Sequence, residues 1–158
     1  MLLYTTARAI VEREENGQAE VLLQVRDRPG QLRRLELPGG GIARFEPILE
    51  ALAREVREET GLTVTEILGE TGRMAMPQVE CLTPFFVYQS LSGPGDSTGF
   101  VFRCRAEGCL TGKGDGAVGH RWIGIDELRE RLAAEPESFD YIALGALAFY
   151  LRWRQAKN

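Results

Sequence analysis

Residues 39–62 read GGGIARFEPILEALAREVREETGL, and they decide the fold. From Pro47 to Thr60 the apolar residues Ile48, Leu49, Leu52, Ala53 and Val56 recur at helical spacing. Pro47 suits a first helical turn, and Gly61 supplies the stop. The helix also carries Glu50, Glu55, Glu58 and Glu59. At about 100° per residue the last three share an arc of about 100°, and Glu55 and Glu59 fall at the edge of the apolar stripe or partly inside it. Carboxylates packed this way repel one another and lose hydration, which raises a pKa or demands a cation. Hard divalent ions such as Mg2+ or Mn2+ take oxygen ligands of this kind. A solvated acidic face beside Arg54 and Arg57 is the plain alternative, and the helix alone leaves both readings open. Upstream, Gly39-Gly40-Gly41 lets the backbone approach a ligand and a carbonyl turn toward a metal.

Outward from this segment the chain reads as strands before and after a central helix, with helices at the end. Residues 2–13 and 21–25 predict two strands joined by the turn Glu14-Glu15-Asn16-Gly17, and Leu35-Glu36-Leu37 is short and extended. Residues 62–76 read as extended with a break at Gly69, followed by strands over 80–91 and 98–107 and a short one at Arg121-Trp122-Ile123. A short helix starts at Asp126 and a long one covers 138–154. No repeat or linker marks a second domain, so residues 1–158 are expected to form one domain. This order favours a mixed α/β sandwich over a regular βαβ alternation.

Composition narrows the function. The chain has 158 residues, a net charge of −4 and a sequence pI near 5.2, which argue against broad nucleic-acid binding. An acidic chain that handles an acidic substrate needs a metal or a local arginine cluster. Cys81, Cys104 and Cys109 form no C-x-x-C pair and His120 is the one histidine, so a zinc site is poorly supported. Three unpaired thiols suit a reducing compartment. The start Met1-Leu2-Leu3-Tyr4-Thr5 lacks the marks of a signal peptide, and no apolar run reaches the length of a membrane span. A cytoplasmic protein without a membrane partner is expected, with the oligomeric state open to a homodimer.

Spacing then supplies the context that the helix alone lacks. Gly40, Glu46, Arg54-Glu55-Val56, Glu58-Glu59 and Gly61-Leu62 stand in the pattern G-x5-E-x7-R-E-U-x-E-E-x-G-U, where U is aliphatic. This resembles the Nudix box at every fixed position. Chance agreement in a chain of average composition has a probability of roughly 10⁻⁷ or less. The strand order around it is similar to the Nudix fold, an α/β/α sandwich with a mixed sheet and the box as a loop–helix–loop. The resemblance implies a Mg2+-dependent hydrolase, with Mn2+ as a substitute, acting on the pyrophosphate of a nucleoside diphosphate linked to another group. It implies Glu55, Glu58 and Glu59 as metal ligands, with Glu55 and Glu59 the strongest pair, and a main-chain oxygen from Gly39. It implies Glu46 and Arg54 as a supporting ion pair set apart from the metal, with Gly40 and Gly61 serving the turns.

The general base is less clear from the sequence. Some relatives carry a glutamate just before the tryptophan of the penultimate strand, and here that position is Arg121, preceded by His120. Asp115 is the first candidate to replace it, ahead of Glu80 and Glu107, unless Glu58 or Glu59 acts as base itself. His120 reads as a loop or strand-end residue. For the substrate, a proline at Pro77 resembles the ADP-ribose pyrophosphatase branch, although the same residue also ends a strand. Arg73 offers a fork for phosphate or ribose, and Met74 and Met76 an adaptable apolar wall. Arg26, Arg28, Arg33 and Arg34 cluster before the box, either toward a distal phosphate or as a solvated basic loop. ADP-ribose or a nucleotide sugar is thus the expected small-molecule substrate. A sanitising hydrolase for oxidised or non-standard nucleoside triphosphates is the alternative. A non-catalytic ligand-binding module of the same fold comes third, because the box glutamates are intact.

Overall fold

A computed structural model describes residues 3–69, 72–111 and 117–158. Strand β1 (Leu3–Glu15) turns through Asn16 and Gly17 into β2 (Gln18–Arg26). Both turn residues have positive φ, 51° and 76°, as a tight two-residue hairpin requires. Strands β3 (Arg34–Glu36) and β4 (Gly39–Gly41) follow, then helix α1 (Ile48–Thr60). After it come β5 (Thr63–Ile67), β6 (Arg73–Ala75), β7 (Glu80–Leu82), β8 (Phe86–Gln89), β9 (Asp96–Glu107) and β10 (Ala117–Gly124). Helices α2 (Ile125–Ala134) and α3 (Tyr141–Ala156) close the chain, with a single 3-10 turn at Pro136–Ser138 between them.

The main sheet runs β10-β2-β1-β9-β5, with β3 on β2, β4 on β1 and β8 on β9. It is mixed, because β1 and β9 are parallel while the other pairs are antiparallel. Strands β6 and β7 form a separate hairpin. Strands β1 and β2 pair only near their turn, from Glu12↔Val21 to Glu15↔Gln18. Beyond that they splay apart, and residues 34–41 bridge the opening: β3 follows β2, then β4 follows β1.

Side chains alternate across the sheet and so feed two cores. Ala7, Ala9, Val11, Leu22 and Phe102 pack under Leu52 and Val56 of α1. Ile10, Val21, Leu23 and Ile123 pack against Leu128 of α2 and Leu147 and Tyr150 of α3. The result is a sandwich with α1 on one face and α2 and α3 on the other. Helix α1 ends as its sequence requires: Gly61 has φ 80°, and its N–H donates to Arg57 O at 2.9 Å.

Two expectations change. Gly40, expected to serve a turn, lies instead in a strand, Gly39–Gly41, held by register with Thr6, Ala7 and Arg8. The single strand expected over 80–91 is two strands in different sheets, separated at Thr83-Pro84. A proline lacks the N–H a ladder needs, so the break falls there. Among the described residues no helix is long and apolar enough to cross a membrane.

Candidate active site

The opening between β1 and β2 contains a cavity of about 500 Å³. Glu55 and Glu59 reach it from α1, Glu36 from β3, and Gly39, Gly40 and Gly41 form its floor. Helical geometry puts Glu55 and Glu59 one turn apart on one face. Glu59 is only 8% exposed, and its Oε2 accepts hydrogen bonds from Gly39 N at 2.9 Å and Gln24 Nε2 at 2.8 Å. Its Oε1 has no protein donor among the described residues. Burial pushes the carboxyl up to about 7 against the pull of those two bonds, and Glu36 and Glu55 add to the rise. Gln24, fully buried, donates through the same nitrogen to Glu36 Oε1 at 3.0 Å.

The glycines are there for space. A Cβ on Gly40 would lie 2.5 Å from Glu55 Oε2, so the carboxylate occupies the room that the missing side chain leaves. Gly39, at φ 143°, has Ala7 O and Arg8 Cα in the place of a Cβ. Oxygen-only donors, a cradle open for Glu55 and a carboxyl raised by burial fit a hard divalent cation. Among the described residues the side chains themselves do not converge into a cage of three.

Glu46 and Arg54 meet as a bidentate pair, Nε to Oε1 at 2.7 Å and NH2 to Oε2 at 3.0 Å. The guanidinium, together with Ala43 N, holds the Glu46 carboxyl at about 2. Arg54 is less remote from the other acids than expected. Its NH1 also donates to Glu55 Oε1 at 2.8 Å and Glu58 Oε2 at 3.3 Å. Glu58 is exposed and does not line the cavity, and it is joined to Glu55 through Arg54.

Of the expected substrate residues, Arg26 and Arg28 line the carboxylate cavity. Arg73, Met76 and Pro77 do not. They line a different cavity of about 760 Å³ between the β6–β7 hairpin and Phe45, Glu46 and Pro47. Spacing along the chain carries no direction, and the hairpin lies against the Phe45–Pro47 loop, outside the cavity of Glu55 and Glu59. Among the base candidates, Glu80 pairs with Arg73 beside that second cavity, and Glu107 lies at the end of β9 outside the first. His120 Nε2 donates to Glu59 O at 2.7 Å and so satisfies a carbonyl at the C-terminal end of α1. Asp115 lies outside the described residues.

Several cavity residues were not foreseen: Thr6, Arg8, Glu36, Ser97 and Tyr141 line it, and Gln24 backs it. Arg8 had a readable signal, a lone charge inside Ala7-Arg8-Ala9-Ile10-Val11, and Gln24 stands likewise inside Val21-Leu22-Leu23-Gln24-Val25. A polar side chain at a position that alternates inward must have a partner.

Comparison with known proteins places this architecture. The family model for the NUDIX domain matches residues 3–144. The chain is similar to a MutT NUDIX hydrolase from Burkholderia pseudomallei, at 19% identity and TM-score 0.68, over 94% of this chain and 98% of that one. It is similar to the ORF135 protein of E. coli, at 19% identity and TM-score 0.62, over 99% and 94%. It is also similar to the NUDIX domain of Shewanella oneidensis NrtR, whose cocrystal structure is complexed with ADP ribose, at 15% identity and TM-score 0.66, over 100% and 90%. At these identities the likeness is one of fold. No curated protein matches the chain.

Proposed function

The chain belongs to the Nudix family of hydrolases, and on that premise we propose that it cuts the pyrophosphate linkage of a small nucleotide in which a nucleoside diphosphate is joined to a second group. Residues 1–158 act as one catalytic unit in this reading. The observation that carries it is the pairing of Glu55 and Glu59 in a cavity that also holds Arg8, Arg26 and Arg28. Acids alone would repel a pyrophosphate. Acids that hold a cation, with guanidinium groups on the other walls, attract it.

Glu55 and Glu59, with a main-chain oxygen of Gly39, would hold Mg2+. When bound, the ion neutralises charge on the phosphate oxygens and makes a water more acidic. The protein's own share is orientation. Gln24 and Gly39 N fix Oε2 of Glu59, and Arg54 ties Glu55 to the Glu46 loop. Water adds its oxygen to phosphorus, the bridging P–O bond breaks, and two phosphate products leave. The water's proton passes to a carboxylate of the cavity, where Glu36, Glu55 and Glu59 stand among the described residues.

ADP-ribose remains the first substrate to test. The ADP ribose in the Shewanella oneidensis NrtR complex supports it, whereas Pro77 no longer does, because it lines the other cavity. A second reading, hydrolysis of a nucleoside triphosphate, is favoured by the three arginines in the carboxylate cavity. A screen of nucleotide derivatives, with and without Mg2+, tests both. ADP-ribose cut to AMP and ribose 5-phosphate supports the first, and a kcat/KM tenfold higher on a triphosphate supports the second. No turnover on either class would refute the hydrolase reading.

A further inference from the structure

We propose that Arg8 is a specificity-determining residue that binds an anionic group of the substrate, a phosphate carried beyond the linkage that is cut. The proposal rests on the pyrophosphohydrolase reading above. Arg8 stands on β1 between Gly39 of β4 and Val101 of β9, with apolar neighbours before and after it in the chain. Ala7 and Ala9 pack under α1, so alternation turns Arg8 to the α3 side, along with Thr6. The carboxylate pair lies on the α1 side. Because β4 consists of glycines, no side chain divides the two halves, and one cavity runs from Glu55 and Glu59 past Gly39–Gly41 to Thr6, Arg8 and Ser97.

The guanidinium is placed with care and left underused. A guanidinium has five N–H donors. Nε donates to the Tyr88 hydroxyl and NH1 to Leu37 O, both at 3.3 Å. Among the described residues the other donors have no protein acceptor, and no carboxylate oxygen lies within 4.0 Å of the guanidinium. Tyr88 is itself held in place: its ring lies against Gly99, where any Cβ would collide with it, and its hydroxyl also bonds Thr6 Oγ1. Burial opposes the charge on Arg8. Tyr88, Glu36 and Asp140 together outweigh it, so the group stays ionised.

A second cation in the cavity is similarly unsatisfied. Arg26 Nε is buried without a hydrogen-bond partner, and its NH1 is 3.7 Å from Glu36 Oε2. Glu36 thus serves as the near counter-charge for one guanidinium and a distant one for the other. Half-buried charges without close partners are costly, and an oxyanion entering between them recovers that cost. A neutral sugar would offer acceptors but no charge. The planar fork of arginine matches phosphate oxygens in pairs, which the point charge of lysine does not.

The test separates this claim from the hydrolase reading. Inorganic phosphate is titrated calorimetrically into the full chain with a chelator present, so that the carboxylate half cannot retain it through a metal. Wild type should bind. Arg8→Gln should bind at least about tenfold more weakly, Arg8→Lys should fall between, and Arg73→Gln, which removes a guanidinium from the other cavity, should bind as wild type does. With Mg2+ restored, Arg8→Gln should raise KM for a nucleoside triphosphate by about tenfold with kcat within about twofold, and change KM for ADP-ribose less. Phosphate binding unchanged in Arg8→Lys and Arg8→Gln would overturn the proposal, as would equal KM losses on both substrates. If Arg8→Gln does not fold by circular dichroism, Arg8→Lys carries the test alone. Absence of any turnover in wild type would defeat the hydrolase reading, and the phosphate titration would still decide on Arg8.

Discussion

Glu46 and Glu59 belong to the same loop and helix, yet their surroundings push them in opposite directions. Glu46 is half-buried against a bidentate arginine and is held at about 2. Glu59 is buried beside two other acids and rises to about 7. One is already paired by the protein, while the other is kept for a charge that the protein does not supply. At Glu46 and Glu59, structural support and chemistry therefore separate by burial, whereas Glu55, which accepts from Arg54 at 2.8 Å, touches both.

The largest effects should come from the buried side. Glu59→Gln and Glu55→Gln are each expected to lower kcat at saturating Mg2+ on the order of 10²–10⁴-fold, with circular dichroism unchanged. Near-wild-type turnover in both would erase the distinction between the two regions.

Next comes a pH effect whose sign is unusual for a carboxylate. Between about 4.5 and about 7 the unfolded chain has released the Glu59 proton and the folded chain still holds it. Metal-free stability therefore falls as pH rises through that window. Below the window both states are protonated and nothing is lost; above it the full loss remains, on the order of 3 kcal/mol. Denaturant titrations across this range should show the decline in wild type, its absence in Glu59→Gln, and its reversal by Mg2+. A flat wild-type profile would mean that Glu59 does not titrate in this range.

The Glu46 side should respond less. Arg54→Ala frees Glu46 and loosens the loop by removing a part-buried bidentate pair. Activity should drop by about tenfold, read in kcat/KM, with Mn2+ affinity nearly unchanged. The smallest effect is expected at Met76→Ala and Pro77→Ala, within about twofold in kcat/KM, because both line the other cavity. A tenfold loss at Pro77 would connect the two cavities.

Much of this was legible in the sequence, and the remainder was not for identifiable reasons. Helix α1 ends where Gly61 says it should, because a left-handed stop is a local property. The inward lean of Glu55 and Glu59 followed from helical periodicity. Strand β4 was hidden, since glycine has no strand preference and only pairing with Thr6–Arg8 makes it one. That Arg73, Met76 and Pro77 line a cavity apart from Glu55 and Glu59 is not legible in the sequence, because nothing local fixes where a hairpin folds. Arg8 was visible as an oddity, but its partners Tyr88 and Gly99 lie far along the chain, beyond the reach of spacing.

The central claim is that Glu55 and Glu59 together hold a divalent cation. Titration of Mn2+ into wild type and the Glu55→Gln/Glu59→Gln double variant, followed by the loss of the free-ion resonance signal, tests it directly. The account predicts stoichiometric binding in wild type and affinity at least tenfold weaker in the double variant. Equal affinity in the two proteins would contradict it.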